Sequence, residues 1–239
     1  MGASNKQTES NDDEESLNEE SSCLSPLHAI PGFDRVSKKR SCPKGIVLLV
    51  EGQAARGAYV LCSGRAKVSI MSAEGKTSIV RIARPGDLLG IQATLAERPY
   101  EATVETISPC RVDFISRKDL FALLDRQKTH TLGLAIAISK EYTALIEHAR
   151  VLLLSISANE KLAHLLLRFG DEFGQRTTKG IHLKTLLTHE EIAQVIGTSR
   201  ETVTRSLNLL KRRQVIRTSN GDLMIRNRDA LMAIAQRNE

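Results

Sequence analysis

The sequence contains no tryptophan, and aromatic residues make up only 3% of its 239 residues, so its cores must rest on aliphatic packing. No apolar run approaches the roughly 18 residues of a membrane span, and the N-terminus is acidic, unlike a signal peptide. A cytoplasmic protein without a membrane partner is therefore expected. The four cysteines (Cys23, Cys42, Cys62, Cys110) lie 19, 20 and 48 residues apart with no C-x-x-C pair, which predicts reduced, mostly buried thiols. All six histidines fall outside residues 43–117, so the glycine-rich stretch there lacks the His cluster of a cupin-type metal enzyme. Neither a nucleophile–base pairing nor a phosphate-cradling glycine loop is present. No enzymatic activity, metal site or bound cofactor is expected.

What the chain does have is unevenly spread charge. The formal net charge is +6, but residues 1–22 carry seven acidic groups against Lys6, a net of −6, which leaves +12 on the rest. So polar and acidic a segment cannot offset its ordering entropy, and residues 1–25 are expected to form a disordered tail. The basic remainder suits a polyanionic partner, although charge alone does not identify one.

The chain length is consistent with two domains, each with its own core. Residues 26–117 carry short alternating runs at Ile46–Val50, Ala58–Cys62, Ala66–Met71, Ser78–Ala83, Ala102–Thr106 and Val112–Ile115, separated by glycine turns. They predict a β-roll or sandwich. Residues 118–154 contain no proline and predict one long helix. Within it Leu132, Ala135, Ser139, Tyr142, Ile146, Ala149 and Leu153 follow the 3-4 progression of a coiled-coil seam. Leu134, Ile136 and Ile138 make the helix apolar on a second side, so it needs both the roll and a partner copy to cover it. Ser155-Ile156-Ser157 then reads as a hinge, with Ser157 or Asn159 capping a helix through Phe169 and a polar loop over Gly170–Gly180.

The last part, residues 155–239, holds the most specific pattern. Thr188 to Ile196 places Ile192, Val195 and Ile196 at helical spacing, Gly197 supplies a turn, and Thr198 or Ser199 can cap a second helix. In that helix Val203, Leu207 and Leu210 share one face, and Arg200, Glu201, Thr204 and Arg205 the opposite one. Such a face reads base edges, because Arg forks onto guanine and Glu accepts from the cytosine amino group. Val215–Thr218 and Leu223–Ile225 flank Asn220-Gly221, a tight-hairpin signal that reads as a wing. A short helix through Leu231 and Ile234 follows. The whole is an α+β chain: β-roll, long dimerisation helix, winged helix-turn-helix.

From Pro31 to Ile234 the chain resembles the Crp/Fnr superfamily of bacterial transcription regulators. Its most specific element, Arg200-Glu201-Thr202-Val203 followed by Arg205, is similar to the recognition helix of the cyclic-AMP-receptor branch. The resemblance implies a homodimer on double-stranded DNA. Arg200 and Arg205 would meet guanine-side acceptors and Glu201 a cytosine amino group, in a TGTGA-like inverted repeat. Phosphate contacts are expected among Thr188, Ser199, Thr202, Thr204, Lys211 and Arg217, with Arg212 and Arg213 adding to the basic run. Ser206 interrupts the apolar face. The resemblance also implies an RNA polymerase contact near the Gly174–Gly180 loop.

The sensor half departs from that pattern. Pro85-Gly86-Asp87-Leu88-Leu89-Gly90 resembles the opening of the family's phosphate cassette. However, Ile91 stands where a nucleotide binder has Glu, Tyr100-Glu101 where it has Arg and Ser or Thr, and Ala144-Leu145 where helix hydroxyls hold the base. Arg98 is the one nearby substitute for the missing cation. The effector is therefore expected not to be cyclic AMP and is otherwise unknown. The cysteine intervals differ from those of the family's iron–sulfur sensors, and His28 or Cys23 would be the only near-terminal haem ligand. Two readings compete: a cyclic-nucleotide, redox or haem-responsive regulator of the same family, and a regulatory module that acts through protein partners without DNA.

Overall fold

A computed structural model of the chain describes residues 23, 25–155, 157–184, 187–219 and 222–236. Nearly all of the acidic tail, Ile156 of the hinge and the Asn220-Gly221 turn lie outside the described residues.

The chain enters through a one-turn helix, α1 (Phe33–Val36), and an edge strand, β1 (Lys38–Cys42). Six further strands build most of the roll: β2 (Val47–Leu49), β3 (Gly57–Ser63), β4 (Ala66–Met71), β5 (Thr77–Ala83), β7 (Thr103–Thr106) and β8 (Cys110–Ser116), with the two-residue β6 (Leu88–Leu89) between β5 and β7. Each strand expected from alternation is present, with ends displaced by no more than two residues. They form two antiparallel sheets, ordered β1-β8-β3-β6 and β2-β7-β4-β5. Leu61, Leu89 and Val112 of the first sheet share one core with Leu49, Ala66 and Val104 of the second. The strand Lys38–Cys42 escapes the alternation rule because four of its five residues are exposed. It pairs only with β8, and its lysines discourage further pairing at that edge.

Helix α2 (Ile91–Ala96) follows the cassette turn, and α3 (Arg117–Arg126) follows β8, capped by Ser116, which accepts from Asp119 N. The expected single helix over 118–154 is in fact two. The chain leaves helical geometry at Gln127 (φ −121°, ψ 50°), makes a tight turn over Lys128–His130 and resumes as α4 (Thr131–Leu154). Helix α3 packs against β3 and β8, while α4 meets β5 and α5. The break lets Leu120 and Leu123 of α3 and Leu134 of α4 share one core with Val60 and Ile115 although the two helices differ in direction.

Ser157, not Asn159, caps the next helix, α5 (Ala158–Phe173), accepting from Glu160 N, a contribution of about 1 kcal/mol. This helix runs four residues beyond Phe169. The expected polar loop over Gly170–Gly180 is instead the end of α5 and a hairpin of β9 (Gln175–Thr177) with β10 (Gly180–Leu183). Gly174 is there for close approach, since a Cβ would stand 2.3 Å from Ile181 Cγ2. Next come α6 (His189–Ile196), α7 (Arg200–Arg212), the wing strands β11 (Ile216–Ser219) and β12 (Asp222–Ile225), and α8 (Arg228–Ala235). The wing joins the earlier hairpin in one sheet, β11-β12-β10-β9.

The two halves do not keep separate cores. Ile79, Ile82 and Ile107 of the roll are buried in the same cluster as Leu162, Leu166, Ile192, Leu207 and Leu223 of the winged part. Polar contacts flank this seam: Lys67 Nζ lies 3.1 Å from Glu191 Oε1, and Ser78 Oγ donates to Gln194 O at 3.1 Å.

Candidate nucleic-acid interface

The helix-turn-helix begins with a reciprocal cap. Thr188 Oγ1 accepts from Glu191 N (3.2 Å), while Glu191 Oε2 accepts from Thr188 N (2.9 Å). Gly197, at φ +65°, closes α6 in the left-handed conformation that glycine adopts without strain. Ser199 rather than Thr198 caps α7, accepting from Thr202 N. Val203, Leu207 and Leu210 are buried, and so is Ser206, which the packing accepts at 6% exposure.

The opposite face is open. Arg200, Glu201 and Arg205 are exposed, and among the described residues Glu201 and Arg205 form no ion pair with each other. Arg205 Nη2 instead donates to Thr202 Oγ1 (3.1 Å), which lies 3.1 Å from Ser199 Oγ. Hydrogen bonding by its own backbone amide and by Ser199 holds the Glu201 carboxyl below its usual value, so it is an acceptor at neutral pH. Thr204 Oγ1 donates to Arg200 O (3.0 Å) and lies 3.0 Å from His189 Nδ1. Since the hydroxyl proton is already used, the ring nitrogen is the donor. This buttress from α6 was not visible in the sequence, where the two residues sit in separate helices. Thr188, Ser199, Arg212, Arg213 and Arg217 are exposed, and Thr202, Thr204 and Lys211 half-buried.

In the roll, Pro85–Leu88 of the cassette turn border a cleft, but the Gly90 end of the turn is filled. Gly90 caps α2 at φ +73°, and a Cβ there would stand 2.7 Å from Leu49 Cδ1 and 2.8 Å from Tyr100 Cε1. Tyr100 is buried and its hydroxyl donates to Gly57 O at 2.7 Å. Ile91 is wholly buried, whereas Glu101, Arg98, Ala144 and Leu145 are exposed. Arg81 Nη1 donates to Asp87 Oδ2 (2.7 Å), and its other terminal nitrogen bonds Glu141 of α4. Burial raises the Glu141 carboxyl above its usual value, against the pull of Arg81. This network forms part of the wall of an open cleft of about 1170 Å³ between β5, α4 and α5, lined also by Lys140, His148, His164 and Arg168.

Residues 39–127 match the cyclic nucleotide-binding domain family, and residues 160–234 the Crp-like helix-turn-helix domain family. The chain belongs to the Crp/Fnr superfamily of transcription regulators. Within that superfamily it is 25% identical over 190 residues to the CRP-like cAMP-activated global transcriptional regulator of Mycobacterium tuberculosis, covering 79% of this chain and 84% of that protein. It is 26% identical over 201 residues to the anaerobic regulatory protein of Bacillus subtilis, covering 83% and 84%. The fold is also that of FixK2 from Bradyrhizobium japonicum, with TM-score 0.74 and 20% identity over 85% of this chain and all of that one. Thr188–Arg212 is thus the helix-turn-helix of a DNA-binding domain of the Crp type. Among the described residues no helix is long and apolar enough to cross a membrane.

In this Crp/Fnr regulator a titratable contact joins α4 to the DNA-binding part. His148 of α4 is buried, and Arg168 Nη1 of α5 lies 3.3 Å from its Nδ1. Burial, and then the Arg168 charge, push the imidazole down to about 4. A folded value below the ordinary one of about 6.5 means that the neutral ring stabilises the fold. The contribution is complete above pH ~6.5 and is lost as pH falls through ~4. Urea denaturation between pH 7 and 4 is expected to show stability falling with acid, with a slope approaching about one proton. His148→Gln should flatten that part of the profile.

Proposed function

We propose that this regulator acts as a homodimer on a TGTGA-like inverted repeat, and that its roll responds to a signal other than cyclic AMP. The carrying observation is the exposed row of Arg200, Glu201 and Arg205, left unpaired with one another on a helix braced by Ser199 and His189. A bidentate guanidinium and a carboxylate at those positions suit guanine and cytosine edges in the major groove. Thr188, Ser199, Thr202, Thr204, Lys211 and Arg217 would position the duplex through phosphates. The seam supports the dimer: Leu132, Tyr142 and Leu153 are 67%, 64% and 80% exposed in the single chain, Ala135 and Ile146 are exposed, and Ala149 is half-buried. Leu134 and Ile138 of the second apolar side face the roll instead, whereas Ile136 is exposed. The exposed β9-β10 hairpin is the surface offered to RNA polymerase in this reading.

Binding of a TGTGA inverted-repeat duplex should exceed that of a scrambled duplex, and Arg200→Ala or Glu201→Ala should cost ~1–3 kcal/mol and relax one base position. Raised salt should weaken both complexes steeply through counterion release. Equal wild-type affinity for the two duplexes would reject this base-reading assignment.

The exposed seam generates a separate expectation. Sedimentation should show a dimer for the wild type and a monomer for the Tyr142→Glu, Ile146→Glu double variant, with DNA affinity lost alongside. A wild-type monomer at micromolar concentration would sink the dimer.

For the sensor, Tyr100 occupies the ground above Gly90 and Ile91 offers no acceptor. Calorimetry with cyclic AMP should therefore detect no binding, and DNA binding should not require it. Micromolar or tighter uptake would overturn this assignment.

A further inference from the structure

The segment that enters the roll brings three metal-ligating side chains together, well away from the recognition helix. Cys23 Sγ, Cys62 Sγ and a ring nitrogen of His28 all lie within 4.8 Å of one another, although Cys62 belongs to β3. Leu27, Ile30 and Phe33, each exposed by 1% or less, anchor the segment in the outer core of the roll. The two thiols face each other, and their backbone contacts are long, Cys23 Sγ to Leu61 O at 3.8 Å and Cys62 Sγ to Val60 O at 3.9 Å.

His28 is set up as a ligand. Its Nε2 lies 2.9 Å from Asp113 Oδ2, while its Nδ1 is buried with no hydrogen-bond partner among the described residues. The Phe33 ring meets the imidazole edge-on with centroids 4.7 Å apart, which restricts its rotation. A carboxylate behind one ring nitrogen fixes the tautomer and leaves the lone pair of the other free, the arrangement typical of metal-bound histidines. Asp34 lies in the same neighbourhood and adds negative charge.

We propose that Cys23, His28 and Cys62 form a binding site for a zinc ion, with Asp113 as the residue that positions His28. Two sulfurs and one imidazole are the donor set that zinc prefers. Zinc–sulfur bonds of about 2.3 Å and zinc–nitrogen bonds of about 2.0–2.1 Å put tetrahedral ligand atoms roughly 3.5–3.8 Å apart. Donors already within 4.8 Å need close in by only about an ångström. Binding converts two thiols to thiolates and releases two protons, so the dication is neutralised by its sulfur ligands. A fourth position is left for water. The ion would fasten the entering segment to β3, so that metal supply acts on the roll itself. A Cys23–Cys62 disulfide is the competing chemistry for these sulfurs, but it would leave the orphaned His28 nitrogen without a role.

The test uses the full chain, reduced and stripped by a chelator, titrated with zinc against a chromophoric competitor. One zinc per chain is expected. Cys62→Ser and His28→Gln should each weaken binding at least about 10-fold, and Asp113→Asn by about 10–100-fold. Cys42→Ser should leave it unchanged. Cobalt(II) should give thiolate charge-transfer and tetrahedral d–d absorption in the wild type and lose the charge-transfer intensity in Cys62→Ser. Circular dichroism checks each variant, and Cys23→Ser, at the edge of the roll, replaces any that fails to fold. The proposal is overturned if the reduced wild type takes up no zinc, if uptake survives the Cys62 and His28 changes, or if a Cys23–Cys62 disulfide forms in a chain without zinc affinity.

Discussion

Ile79, Ile82 and Ile107 reach out of the roll and are buried among the aliphatic side chains of the winged part. Each such burial is worth about 1.5–3 kcal/mol, more than the flanking polar contacts, whose individual worth is about 1 kcal/mol or less. The position of α7 relative to the roll therefore depends on this seam. Lys67 with Glu191 and Ser78 with Gln194 set its register, and Arg65 stacked 4.0 Å above the Phe173 ring extends it. Any signal that reorients the recognition helix must part these isoleucines from Leu166, Ile192 and Leu223 and expose apolar surface until a new contact covers it.

The sensor side suggests where such a signal has purchase. The Arg81 guanidinium bonds both Asp87 of the cassette turn and Glu141 of α4, and Gln92 Nε2 donates to the same glutamate at 2.5 Å. The turn, α2 and α4 are therefore linked through Arg81 and the Glu141 carboxylate. Farther along α4, His148 and Arg168 connect the helix to α5. Both contacts line the open cleft, so a ligand there would meet the roll, α4 and the DNA-binding part together.

What the sequence made legible follows from the range of the interactions involved. The recognition helix, its caps and six strands were readable because periodicity and capping act over a few residues. The break at Gln127 was not, because no glycine or proline marks it and its cause is the docking of Leu120 and Leu123 on distant strands. The β9-β10 hairpin was hidden by its polar, exposed residues, which resemble a loop in composition. The Thr204–His189 brace, the Arg81–Glu141 link and the convergence of Cys23, His28 and Cys62 are tertiary contacts with no spacing signature. The departure from the nucleotide-binding pattern was legible at Ile91, but not that the Tyr100 ring lies against Gly90 and its hydroxyl bonds Gly57.

Glu191 divides its two oxygens between two partners: Oε2 closes the cap with Thr188, and Oε1 faces Lys67 across the seam. The reader's first helix is thus fastened to the roll by an atom that its own fold does not need. Detaching the winged part breaks the Lys67 contact and leaves the Thr188 cap intact. The geometry of the helix-turn-helix, and with it the row of arginine and glutamate, is therefore set within the winged part and not by its contact with the roll.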